Sequence, residues 1–150
     1  MDRTERVELT TLVMVTDGQG RMLVQDRKDP DWGGICFPGG HVERDESFVQ
    51  SAIREVYEET GLTIEAPRLC GIKQFPIDGG RYLVLFFKTD RYSGTLHDSE
   101  EGPVFWVRPD ELENYRLTDR FREMVEIFFS DEKTEFIWFR EEDQWQYKIL

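Results

Sequence analysis

The order of apolar and polar residues predicts β-structure at the start of the chain. Residues 7–16 are rich in β-branched and aliphatic side chains and end at a turn signal, residues 17–20, which reads DGQG. A second apolar run, residues 21–26, follows this turn directly. We therefore predict two strands that pair as a hairpin. The short apolar segment at residues 35–37 predicts a third strand.

The pattern becomes helical after residue 47. The apolar positions then recur at helical spacing, at Phe48, Ala52 and Val56. Either Asp45 or Ser47 can cap the start of this helix, and Gly61 is a typical residue at which a helix ends. Residues 119–129 show the same period and predict a second helix, with inward positions at Phe121, Met124, Val125 and Phe128.

The remaining apolar runs predict further strands. One lies within residues 63–75, in the segment LCGIKQF, and the others lie at residues 81–89, 104–108, 134–140 and 144–150. The last two flank an acidic turn and predict a C-terminal hairpin, whereas residues 90–102 are polar and predict a loop. Strands thus bracket two helices. This order fits an α+β fold in which a mixed β-sheet lies between helices as an α/β/α sandwich.

Composition narrows the class of protein. The length of 150 residues suits a single domain covering residues 1–150. A formal net charge of −12 argues against binding to a nucleic acid polymer, because such binding needs a basic surface. No apolar run is long enough to cross a membrane, and the charged N-terminus lacks the apolar core of a signal peptide. We therefore expect a cytoplasmic protein that has no membrane partner.

The first helix carries an unusual concentration of carboxylates. Glu55, Glu58 and Glu59 are three and four residues apart, so they share one helical face. Adjacent carboxylates repel one another and resist full ionisation. A divalent cation removes this repulsion, and Mg²⁺ in particular binds oxygen ligands while keeping waters for substrate phosphates. The pattern indicates a site for Mg²⁺, with Mn²⁺ as an alternative.

The segment around these glutamates resembles the Nudix box, G-x5-E-x7-R-E-U-x-E-E-x-G-U, in which U is an aliphatic residue. Every fixed position is matched within residues 40–62, by Gly40, Glu46, Arg54, Glu55, Val56, Glu58, Glu59, Gly61 and Leu62. The order of elements along the rest of the chain is similar to that family as well. The resemblance implies a Nudix-like fold and an enzyme that hydrolyses a nucleoside diphosphate linkage with a divalent metal.

The resemblance also implies roles for individual residues. The metal ligands would be the carbonyl oxygen of Gly39 and the carboxylates of Glu55, Glu58 and Glu59. A glycine suits this use because the backbone must approach the ion closely. Glu46 matches a glutamate that maintains the loop or binds an outer water. Arg54 matches an arginine that contributes to catalysis by bracing the glutamates, since its planar fork holds a carboxylate in a fixed orientation.

The implied reaction is attack of water on a phosphorus of the diphosphate linkage. The metal would orient the phosphates, neutralise developing charge and acidify a bound water. A general base is expected too, and Glu101 in a later loop is the main candidate, where it would also complete the metal site. Glu59 is the alternative base. The simpler interpretation of Glu101 is a solvated acidic loop.

The substrate is suggested by a second resemblance. The small size and the segment EEGPVFWVRPDEL are similar to the MutT-like branch, the 8-oxo-dGTP diphosphatases. In that branch the base is contacted from regions that correspond here to residues 32–35 and 115–119. The candidate substrate contacts are Arg27, Trp32, Ile35, Phe37 and Asp119. Structural roles remain open for three of them: a surface charge for Arg27, core packing for Phe37 and capping of the last helix for Asp119.

Three functions remain open at this point. The first is hydrolysis of a nucleoside triphosphate, such as 8-oxo-dGTP, to a monophosphate and pyrophosphate. The second is hydrolysis of ADP-ribose or another nucleoside diphosphate derivative, because Pro76 resembles a proline that marks that group. The third is a non-catalytic nucleotide sensor, against which the complete set of glutamates argues. In each case the partner is a small nucleotide, and the aromatic strands near both ends leave a homodimer open.

Overall fold

The structure is a computed structural model that describes all 150 residues. In chain order its elements are β1 (Arg6–Val15), β2 (Met22–Arg27), β3 (Gly34–Cys36), β4 (Gly39–His41), α1 (Phe48–Thr60), β5 (Leu62–Ile64), β6 (Arg68–Ile77), β7 (Gly80–Thr89), β8 (Tyr92–Gly94), β9 (Val104–Val107), a 3₁₀ helix (Pro109–Asn114), α2 (Phe121–Phe129), β10 (Glu135–Glu141) and β11 (Gln144–Ile149).

Six strands form the central sheet, in the order β11-β10-β6-β7-β1-β4. The sheet is mixed, because β1 pairs with β7 and β10 pairs with β6 in parallel, while the other pairs are antiparallel. The predicted C-terminal hairpin is confirmed as β10 and β11. Its turn places Glu142 and Asp143 at positive φ angles of 51° and 63°.

The predicted N-terminal hairpin is wrong. β1 lies in the central sheet, whereas β2 lies between β3 and β9 in a separate three-stranded sheet. Only one isolated bridge, Thr16 to Met22, joins the two segments after the turn. Both runs are strands, but β1 finds its partners in β7 and β4. The predicted loop at residues 90–102 also contains a short strand, β8, which pairs with β5.

Alternation along the central strands builds a core on each face of the sheet. On one face Val13, Leu85 and Phe87 pack with Ala52 and Val56 of α1. On the other face a larger core contains side chains from the sheet and from α2, including Met14, Val84, Phe86, Phe121 and Phe128. The predicted α+β sandwich, with a mixed sheet between helices, is confirmed. No helix is long and apolar enough to cross a membrane.

Candidate active site

Helix α1 begins and ends at residues that suit its caps. Ser47 is the N-cap and forms a reciprocal capping box with Gln50, which decides between the two predicted caps. Gly61 ends the helix at a φ of 82°, and its N–H donates to the carbonyl oxygen of Tyr57. A side chain is strained in this left-handed conformation, so glycine is the favoured residue. These caps hold the acidic face of α1 in a defined position.

Arg54 fastens the loop before α1 to the helix. Its Nε and Nη2 donate to the two carboxylate oxygens of Glu46, at 2.7 and 2.9 Å. Nη2 also donates to the carbonyl oxygen of His41 at 3.0 Å. The remaining nitrogen, Nη1, donates to Glu55 at 3.0 Å and to Glu58 at 3.2 Å. One guanidinium thus fixes the loop and orients two of the helix carboxylates.

The carboxyl of Glu46 is held in its ionised form. The hydrogen bonds from Arg54 are the largest cause, and they lower the pKa of Glu46 to about 2. The backbone N–H of Glu43 adds a further hydrogen bond at 3.0 Å. Glu46 is therefore ionised at neutral pH, and it serves as an anchor for the arginine.

Glu59 lies in the opposite electrostatic environment. Only 6% of its surface is exposed, and burial raises the pKa of its carboxyl to about 8. Its one hydrogen bond in the protein comes from the backbone N–H of Gly39, at 3.2 Å. The negative charge of Glu55 raises the pKa of Glu59 further. A buried carboxyl next to another acid is stabilised by a cation more strongly than an exposed one.

Glu55 closes the gap between the helix and the β4 edge strand. Burial raises the pKa of Glu55, while its hydrogen bond from Arg54 acts in the opposite direction. A Cβ atom at Gly40 would lie 2.6 Å from the Glu55 carboxyl carbon. Because residue 40 has no side chain, the Glu55 carboxylate can occupy this position. Glu58 is more exposed, with 56% of its side-chain surface accessible.

The loop that carries Glu101 is attached to the end of β2. The carbonyl oxygen of Glu101 accepts from the N–H of Lys28 at 3.1 Å, and that of Pro103 accepts from the N–H of Asp26 at 2.9 Å. The Ser99 hydroxyl accepts from the N–H of Glu101 at 3.2 Å. These bonds position the loop opposite α1.

The helix and this loop enclose an acidic cavity of about 290 Å³. Five carboxylates and one hydroxyl line it, and they belong to Glu55, Glu58, Glu59, Ser99, Glu100 and Glu101. The structure therefore brings the three predicted glutamates of α1 together with Glu101, which is more than 40 residues away in the sequence. No apolar side chain lines the cavity.

Comparison with known proteins agrees with this geometry. The sequence matches the NUDIX domain over residues 7–128. This chain is a member of the Nudix family. It is 33% identical to the oxidized purine nucleoside triphosphate hydrolase of Danio rerio over 111 residues, which cover 70% of this chain and 69% of that one. It is 27% identical to the CTP pyrophosphohydrolase of Escherichia coli over 125 residues, which cover 83% and 92%.

The fold of this Nudix hydrolase has a close counterpart among solved structures. The MutT protein from Bacillus halodurans superposes with a TM-score of 0.78 and 22% sequence identity, over 95% of this chain and 97% of that one. Members of the family act on nucleoside diphosphate derivatives and use divalent metals such as Mg²⁺. The expectation of a hydrolase with a small nucleotide substrate is thus confirmed.

The acidic cavity fits a divalent cation by the chemistry of its donors. All six lining side chains offer oxygen atoms, which Mg²⁺ and Mn²⁺ prefer. In the side-chain arrangement observed, no three acidic, histidine or cysteine groups are close enough to hold one ion. Glu55 and Glu58 instead accept hydrogen bonds from Arg54. A divalent cation would therefore have to compete with Arg54 for the oxygens of Glu55 and Glu58.

Two of the predicted substrate contacts are corrected by burial. Phe37 has no exposed surface, and its ring packs edge-on against Phe121 and Phe128 at 4.8 and 4.9 Å. Ile35 is 1% exposed and belongs to the same core, while its backbone bonds to Arg116 and Thr118. Neither side chain can reach a ligand, because the apolar core beneath α2 surrounds both.

The other predicted contacts are accessible. Trp32 is 71% exposed, on a loop where its N–H donates to Asp29. Arg27 is half-buried, and its Nε is enclosed without a hydrogen-bond partner. The charge of Arg27 lowers the pKa of both Glu59 and Tyr82, so this arginine lies within electrostatic reach of both side chains. A guanidinium in this position can bind an anion.

Asp119 lines a cavity of about 240 Å³ at the start of α2, together with residues 117–123. It does not cap this helix, because the N-cap is Arg120 and no side chain forms a capping hydrogen bond. The structural role considered for Asp119 is therefore not observed.

An aromatic face on the sheet was missed by the sequence-based prediction. Half-buried rings on β6, β7, β10 and β11 cover the α2 side of the sheet, and they belong to Phe75, Tyr82, Trp138 and Tyr147. Tyr82 packs edge-on against His41, with ring centroids 6.1 Å apart. Arg54 donates to the backbone carbonyl oxygen of His41. The aromatic face therefore continues to the box loop, which is residues 42–47 between β4 and α1. Only the alternation within each strand could have indicated it.

Proposed function

We propose that this Nudix hydrolase cleaves a nucleoside triphosphate to the monophosphate and pyrophosphate, with oxidised purine nucleotides such as 8-oxo-dGTP as the leading substrates. The observation that carries the proposal is the pairing of an acidic cavity with an aromatic face through the edge strand β4. The first suits the metal-bound phosphates and the second suits a base. The name of the Danio rerio relative supports an oxidised purine as the base.

The metal ligands that we propose are the Gly39 carbonyl and the carboxylates that converge on the acidic cavity, from Glu55, Glu58, Glu59 and Glu101. A divalent cation bound there would neutralise charge on the phosphates and lower the pKa of a bound water. The burial of Glu59 supports its role as a ligand, because a cation offsets the penalty of an ionised carboxylate in that position.

The general base that we propose is Glu101. It lies across the cavity from α1, on a loop that is held by its own backbone hydrogen bonds. Glu101 can therefore accept a proton from water while the glutamates of α1 bind the metal. Glu59 is the alternative base. Arg27 is proposed to contact the phosphates, Trp32 to border the nucleotide and Asp119 to accept hydrogen bonds from the base.

The test is a screen of the protein with Mg²⁺ against nucleoside triphosphates, 8-oxo-dGTP and ADP-ribose. Release of pyrophosphate and monophosphate from the triphosphates is the expected result. AMP and ribose 5-phosphate from ADP-ribose, with no turnover of triphosphates, would instead assign the second function considered above. The variant Glu101→Gln is expected to lower kcat strongly, whereas Glu113→Gln, on the exposed side of the 3₁₀ helix, serves as the control.

A further inference from the structure

Lys73 is an unpaired cation on the aromatic face. It lies on β6 opposite Val84 of β7 and Phe136 of β10, both of which belong to the core beneath α2. Its side chain therefore points to that face of the sheet. The Nζ atom lies 5.6 Å from the ring centroid of Phe75 and 5.7 Å from that of Phe136. No hydrogen bond or ion pair within the protein satisfies its three donors.

The rings connect Lys73 to the start of α2. Phe136 stacks on Tyr147 with centroids 5.2 Å apart and an interplanar angle of 2°. The guanidinium of Arg120 lies over the same tyrosine, 4.7 Å from its centroid. Asp119 precedes Arg120, and its charge opposes the lowering of the Lys73 pKa that burial causes. The charges of Lys73 and Asp119 thus act on each other, and Arg120, the neighbour of Asp119, borders the same group of rings.

The ammonium of Lys73 is partly withdrawn from water and has no acceptor within the protein. A partly buried ammonium without an acceptor loses hydration, and contacts with two rings replace only part of it. A ligand that presents an acceptor oxygen would restore the missing hydrogen bond. The position therefore has the properties of a binding residue.

We propose that Lys73 reads the nucleobase, by donating a hydrogen bond to a carbonyl oxygen of a base that lies on the aromatic face. Asp119 accepts from neighbouring N–H groups of the same base. The inference rests on the proposed function, and it narrows the substrate class to nucleotides with a guanine-type edge.

Guanine matches this pair of residues best. Its edge carries the O6 acceptor next to two donors, N1–H and the N2 amino group, so one ammonium and one carboxylate satisfy all three. Adenine presents an amino group where guanine has O6, and an amino group cannot accept from an ammonium. The pair therefore favours guanine over adenine.

The test compares dGTP with two purine nucleotides that lack different parts of this edge. The hypoxanthine nucleotide dITP keeps O6 and N1–H and lacks the amino group, whereas 2-aminopurine deoxyribonucleoside triphosphate keeps the amino group and lacks both O6 and the proton on N1. For Lys73→Met we expect kcat/KM to fall roughly 10- to 100-fold with dGTP and dITP, which is the range for a charged hydrogen bond. Turnover of the 2-aminopurine nucleotide should stay unchanged.

Asp119→Asn should show a different pattern. The loss should be greatest for dGTP, which offers Asp119 both N1–H and the amino group, and smaller for dITP and the 2-aminopurine nucleotide, which each keep one of these two donors. A matched control is Lys148→Met, because Lys148 lies 5.1 Å from the Phe139 ring on the opposite face of the same sheet. Its kinetics should equal those of the unmodified protein. An equal loss with all three nucleotides, or no loss, for Lys73→Met would overturn the base-reading role.

Binding separates this inference from the proposed function. If the protein releases no pyrophosphate from any triphosphate, the proposed function fails. Dissociation constants for GMP, IMP and 2-aminopurine monophosphate, measured by tryptophan fluorescence, then give the same comparison without turnover. Weaker binding of GMP and IMP alone by Lys73→Met would support the inference, and uniform binding across the three would reject it.

Discussion

Two glutamates of the Nudix box show how strongly the surroundings of a carboxyl group determine its pKa. Glu46 and Glu59 are both carboxylates of the Nudix box, but their pKa values lie near 2 and near 8. Hydrogen bonds from Arg54 cause the first value, and burial causes the second. Glu46 is therefore ionised at neutral pH and holds Arg54 by two hydrogen bonds. Glu59 keeps its proton near neutral pH until a cation displaces it.

Substitution of a box glutamate should abolish turnover and leave the fold intact. We expect Glu58→Gln and Glu59→Gln each to lower kcat/KM by orders of magnitude, because each removes an anionic oxygen from the acidic cavity. Steady-state kinetics with Mg²⁺ measures the loss, and far-UV circular dichroism checks the fold. Full activity in both variants would contradict the metal-site assignment.

The buried carboxyl of Glu59 should make the metal-free protein less stable as pH rises. Its folded pKa is raised from 4.5 to about 8, so the stabilising contribution is complete below pH 4.5 and is lost as pH rises through 8. Between pH 6 and pH 8 we expect a fall of about 2 kcal/mol in the free energy of unfolding. Urea denaturation in EDTA measures it.

Two comparisons isolate Glu59 in that experiment. Glu59→Gln cannot titrate, so its unfolding free energy should change less over the same pH range. Addition of Mg²⁺ should restore more stability at pH 8 than at pH 6, because fewer molecules then carry a Glu59 proton that the cation has to displace. An identical pH profile for Glu59→Gln and the unmodified protein would assign the titration to another group.

At the scale of elements, helix α1 and the box loop act as one unit. The capping box at Ser47, the glycine end at Gly61 and the five hydrogen bonds of Arg54 all lie within this segment or its loop. Such local bonds fix the acidic face of the helix before any ligand binds. The Glu101 loop, attached to β2, is a separate element that completes the cavity.

Replacement of the arginine fork should loosen this unit. In Arg54→Lys the two bonds to Glu46 cannot both form, because an ammonium is a single point charge. We expect affinity for Mg²⁺ to fall roughly 10- to 100-fold, the range known for residues that orient metal ligands. Isothermal titration calorimetry with Mg²⁺ measures it. Arg108→Lys, a distant arginine that binds the Gln19 carbonyl, is the matched control.

At the scale of the whole molecule, negative charge is in excess. With a net charge of −12, the folded chain repels itself, and salt screens this repulsion. The acidic cavity concentrates part of the charge, which favours entry of cations. The positive groups Arg27, Lys73 and Arg120 lie near the cavity or on the aromatic face, where they reduce the local negative charge.

Salt should therefore raise the thermal stability of the metal-free protein. We expect the Tm at pH 8 to rise by about 2–4 °C between low and moderate NaCl, which corresponds to about 1 kcal/mol for a chain of this size. Near pH 5, close to the sequence pI of about 4.6, the effect should be small. A Tm that falls with NaCl at pH 8 would mean that ion pairs outweigh the repulsion.

Much of the fold was predictable because its elements carry local signals. The helical period around Ala52 and the glycine at residue 61 located α1, and nearly every apolar run became a strand. The pairing of β1 was not predictable in this way. A short turn favours a hairpin, but β1 gains its partners in β7 and β4, which are distant in sequence.

The sequence by itself determined the box residues and the chemistry that they offer, because residue type and spacing on one helix are local properties. Only the tertiary structure decided which residues meet: Glu101 with the helix glutamates, Phe37 with the core, and Lys73 with the rings near Asp119. The physical reason is that burial and contact depend on pairing between strands that are distant in the sequence. The local pattern of residue types does not show which strands pair.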